Sequence, residues 1–337
     1  METCSFGMRV YLNNLTSYSL YQTMKKNKVF VLSFLIALQI IFLQSVTPRI
    51  SLSKIGKEIS RFKQNQKSIT IAQFNNRALA KEIADRYLKK IPLQSLPDNL
   101  TLGQALQVQD QFVRLLVPSY GKPIGYKAGL TNKDVQAKFN SDRPVSGILL
   151  EKMLLKSGAT VPANFGTRPL IEGDLMVRVG SETINTARTP QEVLAALDAV
   201  IPFLELPDLV YAENIKLTAP KIVAINVGAR SGIMGESIPL TNINEWQEKL
   251  GKIQLIIRDR DGKQLAIGES KTLLGDPVKA IVWLRDDLQS RGKFLKKGDL
   301  LSLGTITPVI SVKSKMIICA QYIGLDDNLV KIFVKFK

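Results

Sequence analysis

The sequence predicts an α+β protein, a small helical N-terminal region followed by a β-rich body. Three observations predict it. Between 72 and 116 the apolar residues recur at helical spacing. Past 120 the runs become short, rich in Val, Ile and Leu, and broken by Gly and Pro. These runs do not alternate with helices in the regular way a βαβ chain requires, and no internal repeat is present.

The chain has 337 residues, 45% hydrophobic and 22% charged. That suits one large domain or two modest ones. It divides into 1–47, a signal peptide or membrane anchor; 48–67, a polar linker; 68–120, the helical subdomain; and 121–337, the β-rich domain.

Residues 29–46, VFVLSFLIALQIIFLQSV, carry no charge, and Lys25, Lys26 and Lys28 precede them. A basic flank before an apolar run is the pattern of a secretory signal or signal anchor. As a helix the run spans about 27 Å, slightly short of a bilayer core. Met24 offers an alternative start, and no A-x-A cleavage site follows. Export with cleavage, an uncleaved anchor and a buried helix all stay open. With the Lys cluster cytosolic, the body would be exported or membrane-anchored, its first partner the membrane or secretion machinery.

The remaining elements follow in order. Leu79, Ile83 and Tyr87 mark an amphipathic helix over 72–89. Thr101 reads as an N-cap, with Gln104 completing a capping box. The helix 102–116 follows, with Leu106, Val108, Phe112, Leu115 and Leu116, and Pro118 marks its end. Strands are expected at 123–126, 175–179, 203–206, 222–227, 253–258, 300–303, 316–322 and 330–336. Helices are expected at 191–200 and 278–290, the second with Ile281, Leu284 and Leu288 on one face.

Composition excludes several function classes. The net charge is +17, but residues 1–67 hold ten Lys or Arg against two acids. About half the excess therefore lies outside the β-rich body. With no RNA-binding aromatic signature and no zinc-finger spacing, nucleic acid is not an expected partner. Cys4 and Cys319 form no disulfide framework; Cys319 sits in an apolar run and reads as core. The chain has no histidine. That removes Ser-His-Asp and Cys-His mechanisms, His-ligated zinc and the commonest general base. Chemistry must run on carboxylates, Lys, hydroxyls, backbone groups or a metal.

Three constellations could carry it. In Ile171-Glu172-Gly173-Asp174-Leu175, alternation puts Glu172 and Asp174 on one strand face. Two adjacent carboxylates repel unless a cation or proton intervenes; a solvent-facing charged strand is the other reading. Glu205 lies within the apolar run Phe203-Leu204-Glu205-Leu206. A buried carboxylate needs a partner, which a metal or a basic side chain can supply. Lys127, in Gly125-Tyr126-Lys127-Ala128-Gly129-Leu130-Thr131, is flanked by glycines that let a ligand approach. An ordinary surface Lys beside a turn fits the same pattern.

Together with Ser141-Asp142-Arg143-Pro144, Gly147-Ile148-Leu149, Arg168-Pro169-Leu170, Leu206-Pro207-Asp208, Leu274-Gly275-Asp276-Pro277 with Ala280 and Trp283-Leu284, Lys297-Gly298-Asp299, and Leu303-Gly304-Thr305-Ile306-Thr307, these motifs form an ordered series. The series resembles the 2-oxopent-4-enoate (2-keto-4-pentenoate) hydratase and 2-oxo-3-hexenedioate decarboxylase family of the fumarylacetoacetate hydrolase superfamily, over roughly 70–337. The resemblance implies a β-rich fumarylacetoacetase C-terminal-like fold, a mixed β-roll. It implies that Glu172, Asp174 and Glu205 bind a metal, that Lys127 and Asp142 are catalytic, and that Leu130, Thr131 and Thr305 line the substrate. The all-oxygen ligand set suits Mg²⁺ or Mn²⁺. The implied activity is a metal-dependent hydro-lyase on a small 2-oxo or 2-hydroxydienoic acid. A decarboxylase of the same family and a non-catalytic exported 2-oxo-acid-binding protein are the alternatives. A homo-oligomer is expected. The sequence departs from the family pattern at Asp174, where Glu is usual, after Asp208, and at Asn226-Val227-Gly228-Ala229.

Overall fold

The computed structural model describes residues 52–337. The segment read as a signal or anchor lies outside them, and among the described residues no helix is long and apolar enough to cross a membrane. The chain divides into Met1–Ile71 and Ala72–Lys337. Of the first unit the described part is the start of helix α1 (Leu52–Lys89). That helix takes in the residues 52–67 read as linker, where Lys, Arg and Gln are fair helix formers and no proline intervenes.

In the second unit, α1 buries Ala80, Ile83, Ala84 and Tyr87, the expected stripe. Helix α2 (Leu102–Tyr120) starts at the expected capping box, in which the Thr101 hydroxyl accepts from the Gln104 N–H and the Gln104 side chain reaches back. It overruns Pro118 and ends at Gly121, whose N–H caps the Val117 carbonyl. A proline costs least in a last turn, where few bonds remain to be lost.

The β-rich part holds two sheets among the described residues. The larger has the order β2-β1-β11-β5-β6-β7-β3, with β12 pairing β5 and β8 pairing β6. Its strands are β1 (Pro123–Gly129), β2 (Val145–Leu150), β3 (Leu154–Lys156), β5 (Leu170–Val179), β6 (Leu197–Leu206), β7 (Ser231–Met234), β8 (Ile238–Pro239), β11 (Leu300–Ser302) and β12 (Ile310–Ser311). The smaller runs β10-β9-β13-β14-β4, with β4 (Thr160–Val161), β9 (Gln254–Arg258), β10 (Gln264–Glu269), β13 (Ile317–Ile323) and β14 (Val330–Phe336).

Two cores follow from the alternation of side chains. Ile171, Leu175, Val177, Leu204 and Leu206 point to one face and pack with the smaller sheet and with α7 (Pro277–Ser290). Met176, Ile201 and Phe203 point to the other and pack with α1, α2 and α5 (Ala219–Ala224). Each buried Leu, Ile or Phe side chain contributes about 1.5–3 kcal/mol, so the large sheet is held from both sides.

Two expected elements are corrected. The helix expected at 191–200 stops early: α4 (Pro190–Ala195) rests on the Thr189–Glu192 capping box. Leu197 then opens β6, where Val200 and Ile201 pair with Val177 and Met176. The strand expected at 222–227 is instead the helix α5 and a tight turn, Asn226–Gly228. Pro220 lies in the first turn of α5, a position that favours helix. Burial of Ile222, Val223 and Ala224 made the run look like a core strand. The short helices α3 (Lys133–Lys138) and α6 (Ile243–Leu250) carried no strong sequence signal.

Candidate functional site

Strands β5 and β6 are antiparallel neighbours, and their register sets Glu172 opposite Glu205 and Asp174 opposite Phe203. Directly opposed residues have Cβ atoms about 5 Å apart. All three acids therefore occupy one small area. They lie on the face where Met176, Ile201 and Phe203 form the second core. Asp174 and Glu205 are buried and Glu172 is half-buried.

Strand β1 supplies Lys127. Its ammonium donates to Glu205 Oε1 and, at 3.0 Å, to the Val227 carbonyl. Both members of this ion pair are almost fully buried. Strand β11 lies between β1 and β5, with Ser302 beside Lys127 in register. The Ser302 hydroxyl donates to Asp174 Oδ2. The other Asp174 oxygen accepts from the Gly304 N–H at 2.9 Å and the Leu175 N–H at 2.6 Å. The Thr305 hydroxyl donates to Glu172 Oε2.

Gly304 has φ +113°, and a Cβ there would lie 2.5 Å from the Thr131 Oγ1. That close approach brings the turn after β11 against the turn after β1. Leu130 takes a left-handed φ of 56°, and its carbonyl is held by Gln136 at 2.8 Å. Lys127, Glu172, Asp174, Glu205, Thr131 and Thr305 thus lie in one neighbourhood, with Leu130 at its border. Asp142 stands apart from them: it is exposed and pairs with its neighbour Arg143 at 2.9 Å. That pairing holds its carboxyl below the ordinary range, through the Arg143 hydrogen bond and charge.

Sequence reasoning missed four contributors. Ser302 was one polar residue in an apolar strand. Val227 acts through its carbonyl, which no side-chain pattern reports. Asn226 falls in the run expected as a strand at 222–227, yet its amide bonds both main-chain groups of Ile148, at 2.7 and 2.8 Å. Tyr322 ends the strand expected at 316–322, and a strand pattern does not say which carbonyls a buried hydroxyl meets. Its hydroxyl lies 3.0 Å from the Asp174 carbonyl and 2.7 Å from that of Phe203.

The electrostatics are those of an incomplete site. Burial pushes the Asp174 carboxyl well above its ordinary value, the charge of Glu205 adds to this, and the Ser302 bond opposes it. Burial likewise drives Glu205 up to about 7, opposed by Lys127 and helped by Glu172. Three carboxylates share one ammonium. Such a surplus is stable only with protons or a further cation.

Among the described residues no three acidic, Cys or His side chains converge as a ready-made metal cluster. Asp174, a methylene shorter than Glu, turns its oxygens to Ser302 and Gly304. The donor set nevertheless fits a hard divalent cation. An ionised carboxylate has about four acceptor sites, and Asp174 uses three. Glu172 Oε1 and Glu205 Oε2 accept no hydrogen bond among the described residues. Oxygen-only donors with surplus negative charge match Mg²⁺ or Mn²⁺.

The paired sheets, with helices over the larger one, make a mixed α+β fold that is shared with a solved enzyme structure. The solved 4-oxalocrotonate decarboxylase from Pseudomonas putida G7, complexed with magnesium and adipate, superposes with a TM-score of 0.69 at 24% identity, covering 78% of this chain and 97% of that one. In sequence the chain is similar to the hydratases and decarboxylases that its motifs resemble. It is 28% identical over 223 residues to 2-keto-4-pentenoate hydratase of Paraburkholderia xenovorans, covering 66% of this chain and 80% of that one. It is 25% identical over 252 residues to 4-oxalocrotonate decarboxylase of Pseudomonas putida, covering 74% and 93%. No family model matches the chain. These likenesses bear out the resemblance and the α+β fold.

Proposed function

We propose that the chain is a divalent-metal-dependent hydro-lyase acting on a small 2-hydroxydienoic acid of the 2-keto-4-pentenoate type. The observation that carries the reading is the facing pair Glu172 and Glu205, each with an oxygen to spare, beside a single buried ammonium. The likeness to hydratases over two thirds of the chain supports it. Glu172, Asp174 and Glu205 would hold Mg²⁺ or Mn²⁺. When bound, the ion supplies Lewis-acid stabilisation to a 2-oxo acid and its enolate.

The chain's own residues orient and move protons. An ammonium has three donors, and Lys127 commits two, to Glu205 and the Val227 carbonyl. The third is left for the substrate carboxylate or enol oxygen. In the hydration, the enol proton leaves the 2-oxygen and C5 gains one, giving the 2-oxo-3-ene. Water then adds its oxygen to C4 and a proton to C3. Lys127 would relay these protons. Leu130 and Thr131 would line the substrate, and Thr305 keeps the Glu172 carboxylate in place. Asp142 would join the site on leaving Arg143. The apolar run 29–46 would place this body outside the cytosol; membrane fractionation with a C-terminal tag tests that, and a cytosolic signal would refute it.

Proton NMR of 2-hydroxypenta-2,4-dienoate and 2-oxohex-3-enedioate with saturating Mg²⁺ tests the activity. The expected product is the hydrated 4-hydroxy-2-oxo acid from the first. Release of CO₂ from the second alone would replace this reading by the decarboxylase. Binding of both without turnover would replace it by the non-catalytic carrier.

A further inference from the structure

We infer that the left-handed turn Asn226–Gly228 is a positioning clamp for Lys127, with the Val227 carbonyl as its jaw. Asn226, Val227 and Gly228 have φ of 57°, 54° and 70°. Asn and Gly tolerate this region, but a β-branched residue is a true outlier there. Strain of this kind persists only where the surroundings over-determine it.

The surroundings do so here. The fully buried Asn226 side chain bonds both the N–H and the carbonyl of Ile148 on β2. The Gly228 carbonyl accepts from the Asp208 N–H at 2.9 Å. The turn is therefore tied on one side to β2 and on the other to the chain leaving β6. Held in this way, Val227 presents its carbonyl to the Lys127 ammonium at 3.0 Å.

Two glycines make room for the arrangement. A Cβ on Gly129 would lie 2.5 Å from Val227 Cγ1. A Cβ on Gly147 would lie 2.8 Å from the Asn226 carbonyl oxygen and 2.9 Å from Lys127 Cγ. Lysine stem, glycine strands and strained turn form one packed unit. A neutral carbonyl fixes the ammonium without adding to the surplus of carboxylates. Asn226 and Val227 are thus positioning residues for Lys127, which rests on the reading of Lys127 as the proton-handling group.

The test uses Gly129→Ala, which presses on Val227 without touching Asn226, and Gly129→Ala/Val227→Ala, which removes the methyl it presses on. Lys127 exposure is read by acetic anhydride labelling and peptide mass spectrometry. Turnover of 2-hydroxypenta-2,4-dienoate and Mn²⁺ affinity by calorimetry are read in parallel. Gly129→Ala is expected to label Lys127 several-fold faster. A misplaced catalytic group costs on the order of 10²-fold, so kcat should fall by at least ~10-fold with KM and Mn²⁺ affinity within ~3-fold. The double variant should recover most of both losses. Unchanged labelling in Gly129→Ala, or no recovery in the double variant, would overturn the clamp. Labelling does not depend on turnover, so an inactive wild type would defeat the proposed activity and leave the clamp tested. Asn226→Ala, expected to raise labelling in the same way, covers the case in which Gly129→Ala does not fold.

Discussion

At the residue scale, Glu172, Asp174 and Glu205 compete for Lys127, and the competition has measurable signs. Glu205 titrates near 7 in the folded chain against an ordinary 4.5. Between those values the folded chain holds a proton that the unfolded chain has released. Stability of the metal-free protein therefore falls as pH rises through this window. For a fully buried group the fall is on the order of 3 kcal/mol, and Asp174, shifted the same way, adds to it. Thermal melts in EDTA should show Tm dropping from pH 5 to pH 7.5, with Mg²⁺ restoring more at the higher pH. A flat profile, or equal Mg²⁺ effects at both, would speak against a cation among these acids. Lys127→Met should lower kcat by at least ~10²-fold, as loss of a proton-transferring group does. Because the bound cation itself neutralises the acids, the variant should keep its Mn²⁺ affinity at pH 8.5. Loss of Mn²⁺ binding there would reassign Lys127 to holding the acids.

At the scale of elements, the close approach of β1 to β11 sets the distance from Lys127 to the acids. A Cβ on Gly125 would lie 2.0 Å from the Leu300 carbonyl oxygen, and backbone cannot yield as a side-chain tip does. Gly125→Ala should cost ~3 kcal/mol, at the upper end of overpacking, read as a lower urea midpoint. A wild-type midpoint would show that the strands can part. The strand β5 was legible in the sequence, because a two-residue period puts Glu172 and Asp174 on one face whatever else the chain does. The partnership of Glu172 with Glu205 was not, since register depends on which strand arrives beside β5. Ser302 stayed hidden for the same reason. The turn at Asn226 is not legible in the sequence because Val227 is a poor residue for a left-handed φ, and tertiary bonds, from Asn226 to Ile148 and from Asp208 to Gly228, hold it there. The capping box at Thr101 was read correctly, because its bonds are local.

At the scale of the whole molecule, the large sheet is sealed on one face by the smaller sheet and on the other by helices. The acids sit on the helix-covered face, where α2 and the stretch of α1 from Ala80 to Tyr87 pack in the same core. The fold class was legible from the change of texture near residue 120 and from the order of the motifs. How the helices close over the sheet was not, because their apolar stripes name no partner.

On the proposed function, the face shared by Glu172, Asp174 and Glu205 receives a divalent cation carrying a 2-oxo acid. A crystal grown with Mn²⁺ and oxalate and measured at the manganese absorption edge tests it most directly. One strong anomalous peak is expected between the Glu172 and Glu205 carboxylates, with oxalate on its open side and Lys127 still on the Val227 carbonyl. No peak there, with Glu205 bound only to Lys127, would contradict it.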